Sequence, residues 1–88
     1  MADSKEIYRE VAQMAYDTIM EVMEKGESDG KTGWLEDSAD YHSIHAKEHI
    51  QKSRAEVKHI GHGEQKKHNT HAVTRCAMKN YILYRYDK

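Results

Sequence analysis

The chain has 88 residues, one cysteine, no proline and a formal net charge of −1 when its histidines are neutral. A chain of this length forms one domain, 1–88, with a modest core, so we expect a marginally stable protein or a homo-oligomer. One cysteine excludes an intrachain disulfide, which favours a reducing, cytoplasmic location. The near-zero charge argues against general nucleic-acid binding, and no apolar run is long enough to suggest a membrane partner.

The first predicted helix covers about 4–25. Asp3 and Glu6 have the spacing of a capping box, and Gly26 follows the segment. Apolar residues repeat at steps of three and four, which predicts an amphipathic helix whose stripe packs into the core. That stripe contains Ile7, Tyr8, Val11, Ala12, Ala15, Ile19, Val22 and Met23. Met14, Tyr16 and Met20 fall outside it, so we expect some apolar area to face a partner chain.

A glycine-rich loop is predicted over 26–38, because this segment has three glycines and no apolar periodicity. The only tryptophan of the chain, Trp34, lies within it. The ring either anchors the loop by burial over the helices or stacks on a planar ligand, and the sequence favours the first reading.

The second and third helices are predicted over about 39–59 and 64–86. A Gly-x-Gly turn at Gly61 and Gly63 joins them, so they are expected to form an antiparallel hairpin in an all-α, oligomeric helical bundle. The main apolar stripe predicted for the third helix is Ala72, Val73, Cys76, Leu83 and Tyr84, with Asn69 and Asn80 embedded in it. A second stripe beside it contains His71, Arg75, Met78 and Ile82.

Histidines are the most unusual feature of the composition, with seven in 88 residues. Five of them form two helix-spaced groups, His42/His45/His49 and His68/His71, and the first group borders the predicted apolar face. The simplest reading is that they are satisfied core-edge residues. The alternative is a divalent metal such as zinc bound by His45, His49, His68 and His71, with Asp40, Glu48 or Glu64 as oxygen ligands. In an antiparallel hairpin, His68 and His71 should lie nearer Val57 and His59 than His42, which disfavours one five-histidine site.

Nucleophilic catalysis has little support in the sequence, and no catalytic residue is assigned. Cys76 lies mid-helix on the predicted apolar stripe, where a thiol is inert packing. Gly30-Lys31-Thr32 follows Gly26 one residue too closely for a phosphate-binding P-loop, and no strand precedes it. A non-enzymatic protein is therefore favoured over an enzyme.

Several short motifs between about residues 25 and 80 carry a family resemblance. They are Gly33-Trp34, Tyr41-His42, His45-Ala46, His49-Ile50, Gly61, His68, Thr70-His71-Ala72, Arg75 and Met78. These motifs resemble small phage proteins of the dATP/dGTP diphosphohydrolase N-terminal-like family, although Asn69 stands where that family favours leucine. The family name implies nucleotide hydrolysis. A weaker likeness, through Thr70-His71, Asn80 and Arg85, links the chain to phage anti-CBASS and anti-Thoeris helical-hairpin sponge proteins, which hold cyclic nucleotides between subunits.

The residues and the resemblance together predict a small cytoplasmic phage accessory protein with a possible anti-defence role. It would bind a nucleotide-like anion without turning it over and so sequester a host immune signal. The predicted ligand contacts are Tyr8, Trp34, His71 and Arg75, because aromatic rings stack on bases and Arg and His bind phosphates. Two alternatives remain open: a metal-dependent dNTP phosphohydrolase, and an inhibitor that docks on a host protein through the first helix or the second stripe of the third.

Overall fold

In a computed structural model, which describes residues 3–54 and 60–86, the chain forms three α-helices and one short 3-10 helix. The helices are α1 (Ser4–Ser28), α2 (Ala39–Lys52) and α3 (His62–Tyr86), and the 3-10 helix covers Gly33–Leu35. The all-α prediction with three helices is therefore confirmed. No helix within these residues is both long and apolar enough to cross a bilayer.

Helix α1 begins where the sequence indicates and ends later. The Asp3 carboxylate caps its first turn by accepting a hydrogen bond from the Lys5 amide at 3.3 Å. The predicted end at Lys25 is wrong, because the helix continues through Gly26 to Ser28. The last turn closes at Gly30, whose φ of 81° lets its amide bond the Glu27 carbonyl. This Schellman-type ending needs a residue that tolerates the left-handed region, which favours Gly30.

Helix α2 begins at the predicted residue and is shorter than predicted. The Ser38 hydroxyl caps it by accepting from the Tyr41 amide at 3.0 Å. The expected helix is wrong at Ser53 and Arg54, because α2 ends at Lys52, where Ser53 caps it and donates its hydroxyl to the Ile50 carbonyl at 2.7 Å. Residues 55–59, including Val57 and His59, lie outside the described residues.

Helices α2 and α3 pack against each other along their length and run antiparallel. His42 near the start of α2 contacts Arg75, whereas His49 near its end contacts His68. Contact positions on α3 therefore decrease in residue number as those on α2 increase, which is the antiparallel arrangement of the predicted hairpin. The hydrophobic core among the described residues is small: Ala46, Ala72 and Ile82 are buried, together with the polar side chains of His42 and Thr74.

The buried face of α3 is only partly the main stripe that the sequence predicts. Ala72 of that stripe is buried and Val73 is half-buried, but Cys76, Leu83 and Tyr84 are exposed. Ile82 of the second stripe is buried. Asn69 and Asn80, expected to be embedded, are also exposed. The second stripe is the less apolar of the two, because it contains His71 and Arg75, yet both of these residues contact histidines of α2, so apolar periodicity alone does not determine which face of α3 meets α2. The other members of the second stripe, His71, Arg75 and Met78, are half-buried.

Helix α1 contributes no buried residue within the described part of the chain. Its C-terminal half faces α3, where Ile19, Val22 and Met23 are half-buried, but Ile7, Tyr8 and Val11 are exposed. The expectation that the whole α1 stripe packs into the core of one chain is therefore wrong for its first half. The position of α1 leaves a wide gap between its C-terminal half and α3.

Candidate anion-binding site

A cavity of about 960 Å³ occupies the gap between the C-terminal half of α1, the following loop and α3, and we call it the α1–α3 cavity. Ligand-binding cavities in proteins commonly have volumes of about 300–1,000 Å³. Apolar side chains form part of its lining: Val22, Met23, Trp34 and Met78. The space and the mixed lining suit a small molecule that has both a flat apolar part and a charged part.

Cationic side chains outnumber carboxylates around the α1–α3 cavity. The cations are Lys25, Lys31, Lys66, Lys67 and Arg75, and the carboxylates are Glu21, Asp29 and Asp37. Lys25 and Asp29 form an ion pair with 3.4 Å between Nζ and the carboxylate, which leaves four cations and two carboxylates around the cavity. An excess of positive charge at one cavity, in a chain whose net charge is −1, favours binding of an anion there.

Arg75 is held at the cavity wall by a chain of contacts through His42. One guanidinium nitrogen of Arg75 lies 3.1 Å from His42 Nδ1, and His42 Nε2 lies 2.9 Å from the Trp34 carbonyl oxygen. A guanidinium only donates hydrogen bonds, so Nδ1 must accept and Nε2 must carry the proton that it donates to Trp34. The completely buried His42 ring is therefore neutral and links Arg75 on α3 to the 3-10 helix.

Aromatic rings also contact Arg75 and Trp34, the two cavity residues that His42 links. The Arg75 guanidinium carbon lies 5.7 Å from the centroid of the Tyr41 ring, within the range of a cation–π contact. Trp34 makes edge contacts with His42 at 6.5 Å and with Tyr81 at 5.7 Å between ring centroids. These contacts restrict the Trp34 ring and the Arg75 side chain, which lowers the entropy lost when either binds a ligand.

Three histidines meet at the end of the cavity, and we call them the histidine cluster: His49, His68 and His71. The Nδ1 atoms of His49 and His68 are 3.2 Å apart, so one ring must donate and the other accept. The ring of His49 also stacks on His71 with 5.1 Å between centroids. On its other side, His68 Nε2 lies 3.9 Å from a Glu64 carboxylate oxygen. His49 and His71 line the cavity.

Two members of the histidine cluster, His49 and His71, have pKa values below the ordinary value for histidine. Burial, followed by the charges of Lys67, His68, Arg75 and Lys31, lowers the pKa of His71. Burial, with His71 and His68 as the next causes, likewise lowers the pKa of His49. The same neighbouring charges that disfavour an imidazolium favour a bound anion, so an anion in the cavity would raise both pKa values.

The structure brings together three of the four predicted ligand contacts. Trp34, His71 and Arg75 all line the α1–α3 cavity, although they come from the loop and from two separate turns of α3. Tyr8 is exposed in the first half of α1 and does not line it.

The predicted metal ligands are divided between two places. His49, His68 and His71 form the cluster, whereas His45 lies 3.4 Å from Glu48 and packs against the Tyr41 ring at 4.3 Å. Within residues 3–54 and 60–86, no three or more His, Cys, Asp or Glu side chains are grouped so that they could hold a metal ion. The zinc site stays a prediction.

Sequence reasoning missed one side of the site. Gly63, Lys66, Lys67, Thr70 and Thr74 line the cavity from α3. Their spacing of three and four residues places them on one helical face, and that small, polar face flanked by lysines was the available signal. Exposed lysines usually mark a solvated face, so the pattern gains meaning only when α1 is placed opposite it.

No family model, curated protein or solved structure matches the chain. The likeness to the two phage families therefore stays a prediction.

Proposed function

We propose that the protein binds a nucleotide-like anion in the α1–α3 cavity and does not turn it over. One observation carries this proposal: a single cavity combines an excess of cationic side chains with the only tryptophan of the chain. Phosphate groups require the first feature, and a purine or pyrimidine ring favours the second. A ligand without a planar ring would leave Trp34 uncontacted, and a ligand without an anionic group would leave the cationic side chains uncontacted.

Arg75 is the residue that we expect to contact phosphate most directly. Its guanidinium presents several donors in one plane and can bind two phosphate oxygens at once. One of those donors is used by His42, which fixes the side chain and leaves other donors for a ligand. The lysines at positions 31, 66 and 67 would add charge around the phosphate without fixing its geometry.

The histidine cluster would couple anion binding to proton uptake. The pKa values of His49 and His71 are lowered in the free protein, and a phosphate beside them would reverse part of that shift. Binding should therefore tighten as the pH falls from neutral into the mildly acidic range. Net proton uptake on binding is measurable as a dependence of the apparent enthalpy on the ionisation enthalpy of the buffer.

Calorimetric titration with cyclic di- and trinucleotides tests the proposal. We expect saturable binding that Lys67→Ala weakens and Lys47→Ala does not, because Lys67 lines the cavity whereas Lys47 is an exposed lysine elsewhere on α2. Both substitutions remove the same charge, so the pair separates contact at the site from the effect of net charge. Absence of binding at high protein concentration, or equal weakening by both variants, would refute the proposal.

In its biological setting, the resemblance to phage families supports a role as an accessory protein that sequesters a host defence signal. The main alternative, a metal-dependent dNTP phosphohydrolase, requires His49, His68 and His71 to recruit a metal. Incubation with dNTPs and added manganese, magnesium or zinc, followed by chromatography of the nucleotides, discriminates the two. Unchanged nucleotides support sequestration, and steady product formation that His71→Gln abolishes supports the hydrolase.

A further inference from the structure

The first half of α1 presents an apolar surface that nothing within the described residues covers. Ile7, Tyr8, Val11 and Met14 lie on one side of the helix, and each is between 47% and 68% exposed. We call these four residues the α1 patch. Ile7, Tyr8 and Val11 continue the stripe of α1 whose C-terminal members pack toward α3, and Met14 lies beside that stripe. Soluble monomers rarely leave contiguous apolar surface of this kind open to water.

The accessible surface of the chain is too large for a compact monomer of its mass. The chain of 10.3 kDa has an accessible surface of 7132 Å². A folded monomer of that mass is expected to expose about 5,400 Å², so the excess is about 1,700 Å². The radius of gyration of 14.6 Å is likewise larger than the ~12 Å expected for a compact chain of this length.

This excess lies within the range of area that one chain contributes to a permanent interface. Obligate dimers bury about 2,000–5,000 Å² in total, or about 1,000–2,500 Å² from each partner. The core among the described residues, with Ala46, Ala72 and Ile82 as its buried apolar side chains, is small for an independent domain of this size.

We propose that a second copy of this chain covers the α1 patch and that the protein is an obligate homodimer. Each copy carries the same uncovered patch, so pairing about a two-fold axis covers both at once, as in most homodimers. The net charge of −1 opposes association only weakly. The α1–α3 cavity is lined by the C-terminal half of α1, whereas the α1 patch lies in the N-terminal half. The proposed dimer is therefore independent of the proposed anion binding.

Sedimentation equilibrium of the full chain tests the dimer and the face that it uses. We expect twice the chain mass of 10.3 kDa for the wild type and for Ile44→Glu, and a dimer dissociation constant at least about tenfold higher for Val11→Glu. Ile44 is the matched control, because it is 57% exposed but lies on α2. A folded monomer at every concentration, or a dimer that Ile44→Glu disrupts and Val11→Glu does not, would overturn the proposal.

Hydroxyl-radical footprinting of the wild type keeps the test decisive if Val11→Glu does not fold. Tyr8 and Tyr84 are both well exposed in the single chain, at 68% and 87%. In a dimer through the α1 patch, Tyr8 should be protected and Tyr84 should be modified rapidly. Equal modification of the two tyrosines would show that no second copy covers the patch.

Discussion

Two substitutions of His42 should separate anchoring of the loop from positioning of Arg75. In His42→Gln the side-chain amide nitrogen reaches the place of Nε2, so donation to the Trp34 carbonyl is kept and the acceptor for Arg75 is lost. In His42→Asn the amide oxygen takes the place of Nδ1, so Arg75 keeps its acceptor and the Trp34 carbonyl loses its donor. Each variant removes one of the two bonds made by a completely buried ring.

The two losses differ in size and in kind. An ordinary hydrogen bond contributes about 1 kcal/mol, and a carbonyl left without a partner costs about 1–3 kcal/mol more when it is buried. Because Trp34 is half-buried, we expect His42→Asn to lower the free energy of unfolding by about 2 kcal/mol. In a domain of this size that loss lowers Tm by about 10 °C.

His42→Gln should affect binding more than stability. Arg75 is half-exposed, so water replaces much of the lost acceptor and the free energy of unfolding falls by only about 1 kcal/mol. The guanidinium is then no longer fixed at the cavity wall, and the affinity for a cyclic dinucleotide should fall about tenfold, which corresponds to about 1.4 kcal/mol.

Urea unfolding followed by Trp34 fluorescence, at one fixed protein concentration, measures the free energy of unfolding. Calorimetric titration measures the affinity for the cyclic dinucleotide. We expect His42→Asn to have the lower free energy of unfolding and His42→Gln to have the lower affinity for the cyclic dinucleotide. If both variants lose stability and affinity in the same proportion, or if His42→Gln binds as tightly as the wild type, His42 only fills space and does not position Arg75.

Three further results are expected. Tyr8→Ala should leave the affinity for a cyclic dinucleotide unchanged in calorimetric titration, because Tyr8 lies outside the cavity lining; a clear loss would place the ligand elsewhere. Ser43→Ala should raise the free energy of unfolding by about 1 kcal/mol in urea, because the Ser43 hydroxyl is buried without a partner among the described residues; destabilisation would contradict this. The free energy of unfolding should fall as the pH drops below 6.5, because the folded-state pKa values of His49 and His71 lie below that ordinary value and the unfolded chain binds protons more readily. His71→Gln should weaken this dependence in urea titrations at several pH values, and an unchanged slope would refute the assignment.

The helix starts could be predicted from the sequence, but the helix ends could not. Asp3 and Ser38 cap the first turns through contacts within three residues, so a local pattern identifies them. The end of α1 depends on a choice between Gly26 and Gly30, and only the latter adopts the left-handed conformation. A glycine inside a helix costs about 1 kcal/mol, which is small enough for packing to override.

Residue chemistry indicated part of the site, and tertiary structure determined the rest. Arg75, His71 and Trp34 could be proposed from their chemistry, because guanidinium and imidazole groups bind phosphates and an indole ring stacks on bases. The role of His42 could not be predicted from the sequence, because it depends on the Trp34 carbonyl eight residues away and on Arg75 across the hairpin. The choice between Cys76 and Ile82 as buried residues likewise depends on which stripe of α3 meets α2, which local periodicity does not encode.

The most direct test of the anion site is NMR of histidine-labelled protein, titrated with pH in the absence and presence of a saturating cyclic dinucleotide. We expect the imidazole resonances of His49 and His71 to move on binding and their pKa values to rise, because the added phosphate offsets the neighbouring cations. The exposed His62 serves as the internal control and should not respond. If His49 and His71 titrate identically with and without the ligand, the α1–α3 cavity is not the place where it binds.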